Sequence, residues 1–437
     1  METILPAVGK KPVFSGNKLA VDIVFYLACF AFAAVTAIKS EFYGYRVWGN
    51  FALVGYGLAA VHSGWLAFQA RQGKTPSGWF GSRWLSLAFI GVLAMIAPLV
   101  MLVVRRLTGV DWLITPVSWA AQPEVWVIER SARLLLDNGT PYVDVTALGR
   151  PPVVNDYTPY GPVMTVFGLP RALFGGSPVA DALTDARLMF ALVACLCVVV
   201  TLRLLRWPRV PVGAAQLAVA FPLTTLTWSV AGPDLAIVGS LVLSCALAVR
   251  GRPALSAIVL AMVLSAKLIV APAAVVLAVY MLARQGKRAL AVFLGTFVAA
   301  SVILHVPVLL VDPGALVEHM IRFPLGLGVV VSPAASPLPG HLIAGLGPVG
   351  TAASFVLLGA AAVAIAIWLV RRPPVTGSDA LLRTAVGLGT LTLLAPATRY
   401  GYLLYPLVLL GAMLVFRRSE EDSGLAAPPA AAAPTSS

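Results

Sequence analysis

Long apolar runs dominate this sequence and decide which folds are open to it. Runs of about 20 residues recur along the chain, the length that an α-helix needs to cross a bilayer. Hydrophobic residues make up 59% of the chain and charged residues 11%, far below the roughly 25% of a soluble domain. Because the runs do not alternate, a transmembrane β-barrel is excluded. The expected fold class is an all-α polytopic membrane protein.

Basic clusters set the predicted topology. Most Lys and Arg residues lie in short groups at span ends, beginning with Lys10, Lys11 and Lys18, which place the N-terminus in the cytoplasm. The net charge of +13 is therefore assigned to membrane anchoring and not to nucleic-acid binding. We predict about twelve spans with both termini cytoplasmic. Their approximate positions are 20–38, 49–69, 85–104, 187–205, 211–230, 234–250, two short helices within 254–283, 289–311, 349–370, 380–396 and 402–416.

The segment 254–283 is predicted to break in its middle. Basic residues flank it at both ends, so it should enter and leave the membrane on the same side. Lys267 near its midpoint and Pro272 just beyond are expected to mark the apex of a hairpin.

The spans and loops divide the chain into five parts. The first two spans look like an addition to a core that begins at the third span. The parts are a cytoplasmic segment 1–19, three leading spans within 20–104, an external loop 105–185, a transmembrane core 186–418 with a second external loop 312–348, and a disordered cytoplasmic tail 419–437.

A polar interruption within the first loop carries an amphipathic helix. Pro123 suits the first helical position, and the pair Asn138-Gly139 suits a left-handed stop. Such a helix should lie along the membrane surface. Its expected apolar stripe is Val125, Ile128, Leu135 and Leu136. Glu129 and Arg133, one turn apart, are expected to form an exposed pair.

Acids and bases converge on the predicted external face, where ionisable groups at a membrane edge indicate function. A carboxylate there can take a proton from a sugar hydroxyl, and cations can hold a departing phosphate. The candidate bases are Glu124 and, as the alternative, Asp156. A sugar donor linked to a lipid phosphate would fit this arrangement. The candidate residues for binding its phosphate or sugar are Lys267, His319, Arg322, Arg399, Tyr400, Tyr157 and Tyr160.

Each candidate also has a structural interpretation. Glu124 could simply complement the helix dipole, and Lys267 could extend its charge towards water. Arg399 could be an outer anchor among interfacial tyrosines, and His319 with Arg322 could belong to an ordinary interfacial helix. Asp234 could cap the helix that follows Pro233.

The first loop carries a spaced motif. Glu124 lies eleven residues before Leu135, and Gly139, Tyr142 and the stretch Tyr157-Thr158-Pro159-Tyr160 follow. With this motif, the chain resembles glycosyltransferase family 87, a group of polyprenol-phosphate-dependent transferases of the GT-C type, over about residues 110–410. That family has an Asp eleven residues before the end of a Leu-Leu pair, then a Gly, a Tyr and a Tyr-Pro-Pro motif, of which the stretch from Tyr157 is a variant.

The resemblance implies a GT-C-like helical bundle and maps the family's general base onto Glu124, which is one methylene longer than Asp. It also implies inverting transfer of a hexose, with mannose the sugar of the family, from a polyprenyl-phosphate donor to a hydroxyl of a lipid or glycan acceptor among membrane lipids, on the extracytoplasmic face. The sequence has no DxD pair and no His or Cys ligand spacing, so we expect no metal and no other cofactor. Two alternatives stay open: a transporter or lipid flippase, and a homologue that binds a polyprenyl lipid without catalysis.

Overall fold

The computed structural model describes residues 16–74, 76–108 and 119–424, and this part of the chain is helical. Within these ranges, the β-structure is a single bridge between Ala335 and Thr398. The all-α prediction is confirmed. The tail beyond residue 424 and the segment before residue 16 lie outside the described residues.

Nineteen α-helices follow one another in the described residues, several of them joined by short 3-10 or π turns. In chain order they are α1 Gly16–Lys39, α2 Tyr43–Arg71, α3 Trp84–Ile90, α4 Ala97–Val104, α5 Pro123–Asn138, α6 Leu169–Phe174, α7 Pro178–Leu183, α8 Ala186–Leu204, α9 Val212–Ala218, α10 Pro222–Val230, α11 Pro233–Val249, α12 Pro253–Ala266, α13 Pro272–Tyr280, α14 Lys287–Val311, α15 Pro313–Val317, α16 Pro339–Ala344, α17 Pro348–Arg371, α18 Gly377–Leu394 and α19 Leu404–Asp422.

Eight helices of the described chain are long and apolar enough to cross a membrane, or nine if the bent pair α10 and α11 counts as one span. A multi-pass membrane protein is thus confirmed, whereas the count of about twelve spans is not. The predicted span 211–230 is divided into the short helices α9 and α10, and α11 turns by 118° from α10. Helix α12 has 14 residues, fewer than the roughly 17 that the thinnest span needs.

The chain breaks at Lys267, as predicted. Its backbone is extended, with φ −153° and ψ 116°, between the end of α12 and the turn that leads into α13. On either side of the break the helices pack on different neighbours, α12 on α11 and α14, and α13 on α18. The side of the membrane on which each end emerges stays a prediction.

The amphipathic helix α5 begins at Pro123 and ends at Asn138, with Gly139 left-handed at φ 72°. Both predicted ends are confirmed. Val125 and Ile128 are fully buried, as expected. Leu136 is 49% exposed, so its assignment to the apolar stripe was wrong. The buried face instead includes two polar residues nearer the start of the helix, Glu129 and Ser131.

A buried charge network fastens α5 to the bundle. Arg106, which follows α4, donates to Glu129 at 2.9 Å and contacts Asp185 at 2.7 Å. Arg187 at the start of α8 pairs with the same Asp185, also at 2.7 Å. The backbone amide of Ala186 donates to Glu129 at 3.0 Å. Because buried carboxylates require such partners, the network fixes which face of α5 turns inward.

The expected exposed pair of Glu129 and Arg133 was therefore wrong. Arg133 pairs instead with Asp137 at 3.1 Å, one turn later on the solvent side of the helix. The sequence spacing allowed either partner, and the approach of Arg106 from a distant segment decided between them.

The leading helices α1 and α2 are joined to the core by polar contacts. Arg83 binds Asp22 through two hydrogen bonds, at 2.6 and 2.7 Å. Gln216 of α9 donates to the same Asp22 at 2.8 Å. Tyr56 donates to the carbonyl of Ala220 at 2.7 Å. This added hairpin therefore packs as part of one bundle.

We predict that Glu129→Gln lowers the stability of the fold, because Arg106 loses a charged partner in a buried site. The free energy of unfolding should fall by about 1.5–3 kcal/mol, measured by thermal unfolding of the detergent-solubilised protein. Asp137→Asn is the matched control on the same helix. Its exposed i,i+4 pair is worth only about 0.3–0.5 kcal/mol, so equal losses in the two variants would contradict the network's role.

Candidate functional site

A large cavity lies where the first loop, the second loop and the segment before α19 meet. Its volume is about 1590 Å³, above the roughly 300–1,000 Å³ of common small-ligand sites. Most of the wall is apolar and comes from several helices, including Phe32, Phe221, Leu223, Phe355, Leu358 and Leu391. The charged residues of the wall are Glu124, Asp234, Lys267 and Arg399.

Glu124 faces the cavity from the first turn of α5. Pro123 starts the helix and so fixes the direction in which the next side chain leaves it. Tyr160 donates a hydrogen bond of 2.8 Å to one carboxylate oxygen of Glu124. Burial raises the pKa of Glu124, and the nearby Asp234 acts in the same direction, while Lys267 and Arg399 oppose the rise.

The first loop reaches Lys267 through a glycine. Gly161 packs so tightly on the end of α12 that an added Cβ would overlap the carbonyl oxygen of Ser265. Its amide donates to the carbonyl of Ala266 at 3.3 Å. As a result Tyr160, the preceding residue, lies with its ring centre 5.8 Å from the Lys267 ammonium. One tyrosine therefore contacts both the carboxylate and the ammonium group.

Asp234, the acid in the first turn of α11, pairs with Lys267. The Lys267 ammonium donates to Asp234 at 2.5 Å, and Tyr405 donates to the same carboxylate oxygen at 2.6 Å. The ring of Tyr402 lies beneath the ammonium at 4.7 Å. The capping interpretation of Asp234 was wrong, because Gly232 occupies the N-cap position of α11 and no side chain caps it.

Arg399 lines the same cavity just before α19. Among the residues that the structure describes, no hydrogen bond or ion pair holds its guanidinium. The backbone around it is fixed by the bridge between Ala335 and Thr398, and by the hydrogen bond from the Tyr400 amide to Ser336 at 3.0 Å. Tyr400 itself is 45% exposed and lines the cavity. Arg399 is thus a positioned cation whose guanidinium makes no direct hydrogen bond or ion pair within the described chain.

The structure does not bring Asp156, the alternative base, to the cavity. Its carboxylate accepts two hydrogen bonds from Arg150, at 2.6 and 2.7 Å, and a third from the amide of Val153. The hydrogen bonds from Arg150 lower the pKa of Asp156. A carboxylate held in this way is a weak proton acceptor, and it stabilises the loop instead.

His319 and Arg322 also lie away from the cavity wall. The ring of His319 is fully buried: its Nδ1 accepts from the amide of Thr158 and its Nε2 donates to the carbonyl of Val143, both at 2.8 Å. Burial lowers the pKa of His319. Arg322 is exposed and lies 3.4 Å from Glu318. Because 318–322 is a π turn, residues three apart no longer share a face, and the expected joint contact does not form.

Tyr157 divides its role between the cavity and the loops. One side of the residue lines the cavity. Its hydroxyl donates to Glu318 at 2.9 Å, and its ring stacks on Phe323 at 4.0 Å. Tyr157 therefore links the first loop to the second and supports the cavity wall between them.

The predicted site residues did not include Asp234 and Tyr405, which the sequence places on the same external face, or Tyr45 and Gln122. The side-chain amide of Gln122 donates to the hydroxyl of Tyr45, and both residues line the cavity. The signal available in the sequence was the acid in the turn Gly232-Pro233-Asp234 between two apolar helices. Within the described ranges, no three His, Cys, Asp or Glu side chains are grouped closely enough to hold a metal ion.

Comparison with known proteins places the chain in a family. A family model described as glycosyltransferase family 87 matches residues 157–396, which is more than half of the chain. The match includes Tyr157, Tyr160, Asp234 and Lys267, and it begins after Glu124 and ends before Arg399. Neither a curated protein nor a solved structure matches significantly. Because the family consists of glycosyltransferases, the match favours glycosyl transfer over transport or lipid flipping. The chain belongs to glycosyltransferase family 87.

Proposed function

We propose that this protein transfers a hexose, with mannose the sugar implied by the resemblance, from a polyprenyl phosphate to a hydroxyl of a lipid or glycan acceptor. The observation that carries the proposal is one apolar cavity holding a carboxylate, Glu124, and a cation, Arg399, that forms no ion pair within the described chain. Glycosyl transfer from a lipid phosphate requires these two charges and space for a long apolar tail.

The lipid tail of the donor fits the apolar part of the wall. Phe355 and Leu358 of α17 and Leu391 of α18 line the cavity within helices that are otherwise apolar. The volume of about 1590 Å³ leaves room for several isoprene units besides the sugar. The donor phosphate would then meet Arg399, with Lys267 nearby.

The reaction is a single displacement. Glu124 accepts the proton of the acceptor hydroxyl while the acceptor oxygen bonds to the anomeric carbon and the bond from that carbon to the phosphate oxygen breaks. Negative charge moves from Glu124 to the departing polyprenyl phosphate, where Arg399 stabilises it. Attack from the side opposite the phosphate inverts the anomeric configuration. Tyr160 orients the base through its hydrogen bond.

The charge pattern supports one side of the membrane for the active site. The cavity uses the starts of α17 and α19 and the loop after α14. Basic clusters lie at the opposite ends of these helices: Lys287 and Arg288, Arg371 and Arg372, Arg417 and Arg418. Since such clusters favour the cytoplasm, we place the active site on the extracytoplasmic face with both termini cytoplasmic.

We predict that Glu124→Gln lowers kcat by about 10²- to 10⁴-fold, because the amide cannot accept the hydroxyl proton. The assay uses purified full-length protein, polyprenyl-phosphate mannose and hydroxyl acceptors. Asp156→Asn is the matched control and should keep kcat within about 3-fold, since its carboxylate is bound to Arg150 outside the cavity. Turnover undiminished in the Glu124 variant would refute the assigned base. Absence of transfer by the wild type would support the non-catalytic alternative.

The pH profile should report the same group. Burial raises the pKa of Glu124 above its ordinary value of 4.5, and only the ionised form can act as the base. Activity is therefore present above the raised pKa and lost as the pH falls through it. We expect the acidic limb of kcat/KM to have its midpoint above pH 4.5. A midpoint at or below that value would argue against Glu124.

We predict that Arg399→Gln lowers kcat/KM for the donor by about 10- to 100-fold, as expected for one lost hydrogen-bonded charge contact to phosphate. The control is Arg322→Gln, which removes an exposed arginine outside the cavity wall and should change donor kinetics less than about 2-fold. Equal effects of the two substitutions on kcat/KM for the donor would contradict the assignment of Arg399 to the phosphate.

A further inference from the structure

The added helical hairpin α1 and α2 contributes to the cavity although it precedes the segment matched by the family. Phe32 of α1, and Phe42, Gly44 and Tyr45 at the start of α2, all line it. The family match begins only at residue 157. This chain therefore has a cavity wall that the matched segment does not supply.

This wall is built against the stretch that leads into α5. The ring of Phe42 stacks on Trp119, with centres 5.3 Å apart and planes 12° from parallel. The amide of Gly44 donates to the carbonyl of Trp119 at 2.8 Å. A Cβ at Gly44 would lie 3.2 Å from two carbonyl oxygens, so a larger residue would push α2 away. The start of α2 is thus fixed against the stretch that leads into α5.

Two polar groups beside the aromatic pair have hydrogen-bonding capacity to spare. Gln122 donates its side-chain amide to the hydroxyl of Tyr45, and its backbone amide to the carbonyl of Val230 at 2.8 Å. In the described chain, the side-chain carbonyl of Gln122 accepts no hydrogen bond and the Tyr45 hydroxyl donates none. Two residues of the cavity wall therefore keep one acceptor and one donor for a ligand, and one of them, Gln122, is two residues before Glu124.

We propose that this wall, made of Phe42, Tyr45, Trp119 and Gln122, is the acceptor subsite and binds a neutral pyranose. This inference rests on the proposed function and narrows its acceptor from any lipid or glycan hydroxyl to a sugar. The C–H face of a pyranose packs on aromatic rings, which carry a partial negative charge on their faces. Its hydroxyls pair with an unpaired donor and acceptor such as those of Tyr45 and Gln122.

The charges favour the acceptor over the donor as the occupant. The four side chains of this wall are uncharged, whereas the donor phosphate requires the cations Lys267 and Arg399. Inversion requires the acceptor oxygen to approach from the side opposite the phosphate. A sugar held beside Gln122 would present its hydroxyl to Glu124, since the two residues are separated by Pro123 alone.

The test separates acceptor KM from donor KM. With purified full-length protein, polyprenyl-phosphate mannose and octyl hexopyranosides as acceptors, we expect Tyr45→Phe and Phe42→Leu each to raise the acceptor KM about 10-fold. Phe42→Tyr, which keeps the aromatic ring, should leave the acceptor KM at its wild-type value. The donor KM should stay within about 2-fold of the wild-type value in all three variants. Phe68→Leu is the control: Phe68 lies in the same helix, is 56% exposed and is not part of the cavity wall.

Two results would overturn this subsite while leaving the transferase proposal intact: an unchanged acceptor KM in both variants, or a preference for octanol or an octyl glucuronide over the neutral glycoside.

If the wild type transfers no sugar, a binding measurement still tests the subsite. Octyl hexopyranoside should then bind to Glu124→Gln protein in isothermal titration, and adding Tyr45→Phe should weaken binding about 10-fold. Equal binding by both proteins would refute the subsite independently of catalysis.

Discussion

The site depends on one close backbone contact, the approach of Gly161 to the end of α12. Charged groups in an apolar bundle are tolerated only where partners meet them, and Glu124 and Lys267 are far apart in the chain. Gly161 lets the first loop reach the helix break, so that Tyr160 touches both groups. Without this contact Tyr160 could not link the carboxylate of Glu124 to the ammonium group of Lys267.

Pairing distinguishes structural cations from those that can serve a ligand. Arg106 and Arg187 share Asp185, and Arg150 binds Asp156, so their charges are already satisfied inside the protein. Lys267 has Asp234 as its partner and can move to phosphate only by sharing it. In the described part of the cavity wall, Arg399 alone is a cation without an ion pair, which is why the donor phosphate is assigned to it first.

Local signals predicted some elements well and long-range contacts decided the others. Pro123 and Gly139 fixed the ends of α5 because caps act within one turn. The partner of Glu129 could not be predicted, since Arg106 reaches it across the fold. The predicted joint contact of His319 with Arg322 assumed an α-helix, whereas residues 318–322 form a π turn and the His319 ring packs among the loops. Nothing in the sequence spacing distinguishes that turn from an α-helix. The break at Lys267 was predictable from charge and proline alone.

The two departures from the family pattern meet in one hydrogen bond. In the pattern that the resemblance implies, Glu124 stands where the family has an Asp, and Tyr157-Thr158-Pro159-Tyr160 stands where it has a Tyr-Pro-Pro element. The longer acid carries its carboxylate about 1.5 Å further, a displacement that alters reactivity in a positioned site. Tyr160, the last residue of the altered element, donates to that carboxylate at 2.8 Å. Because Tyr160 donates to Glu124, removal of either side chain would leave the other without this buried hydrogen bond.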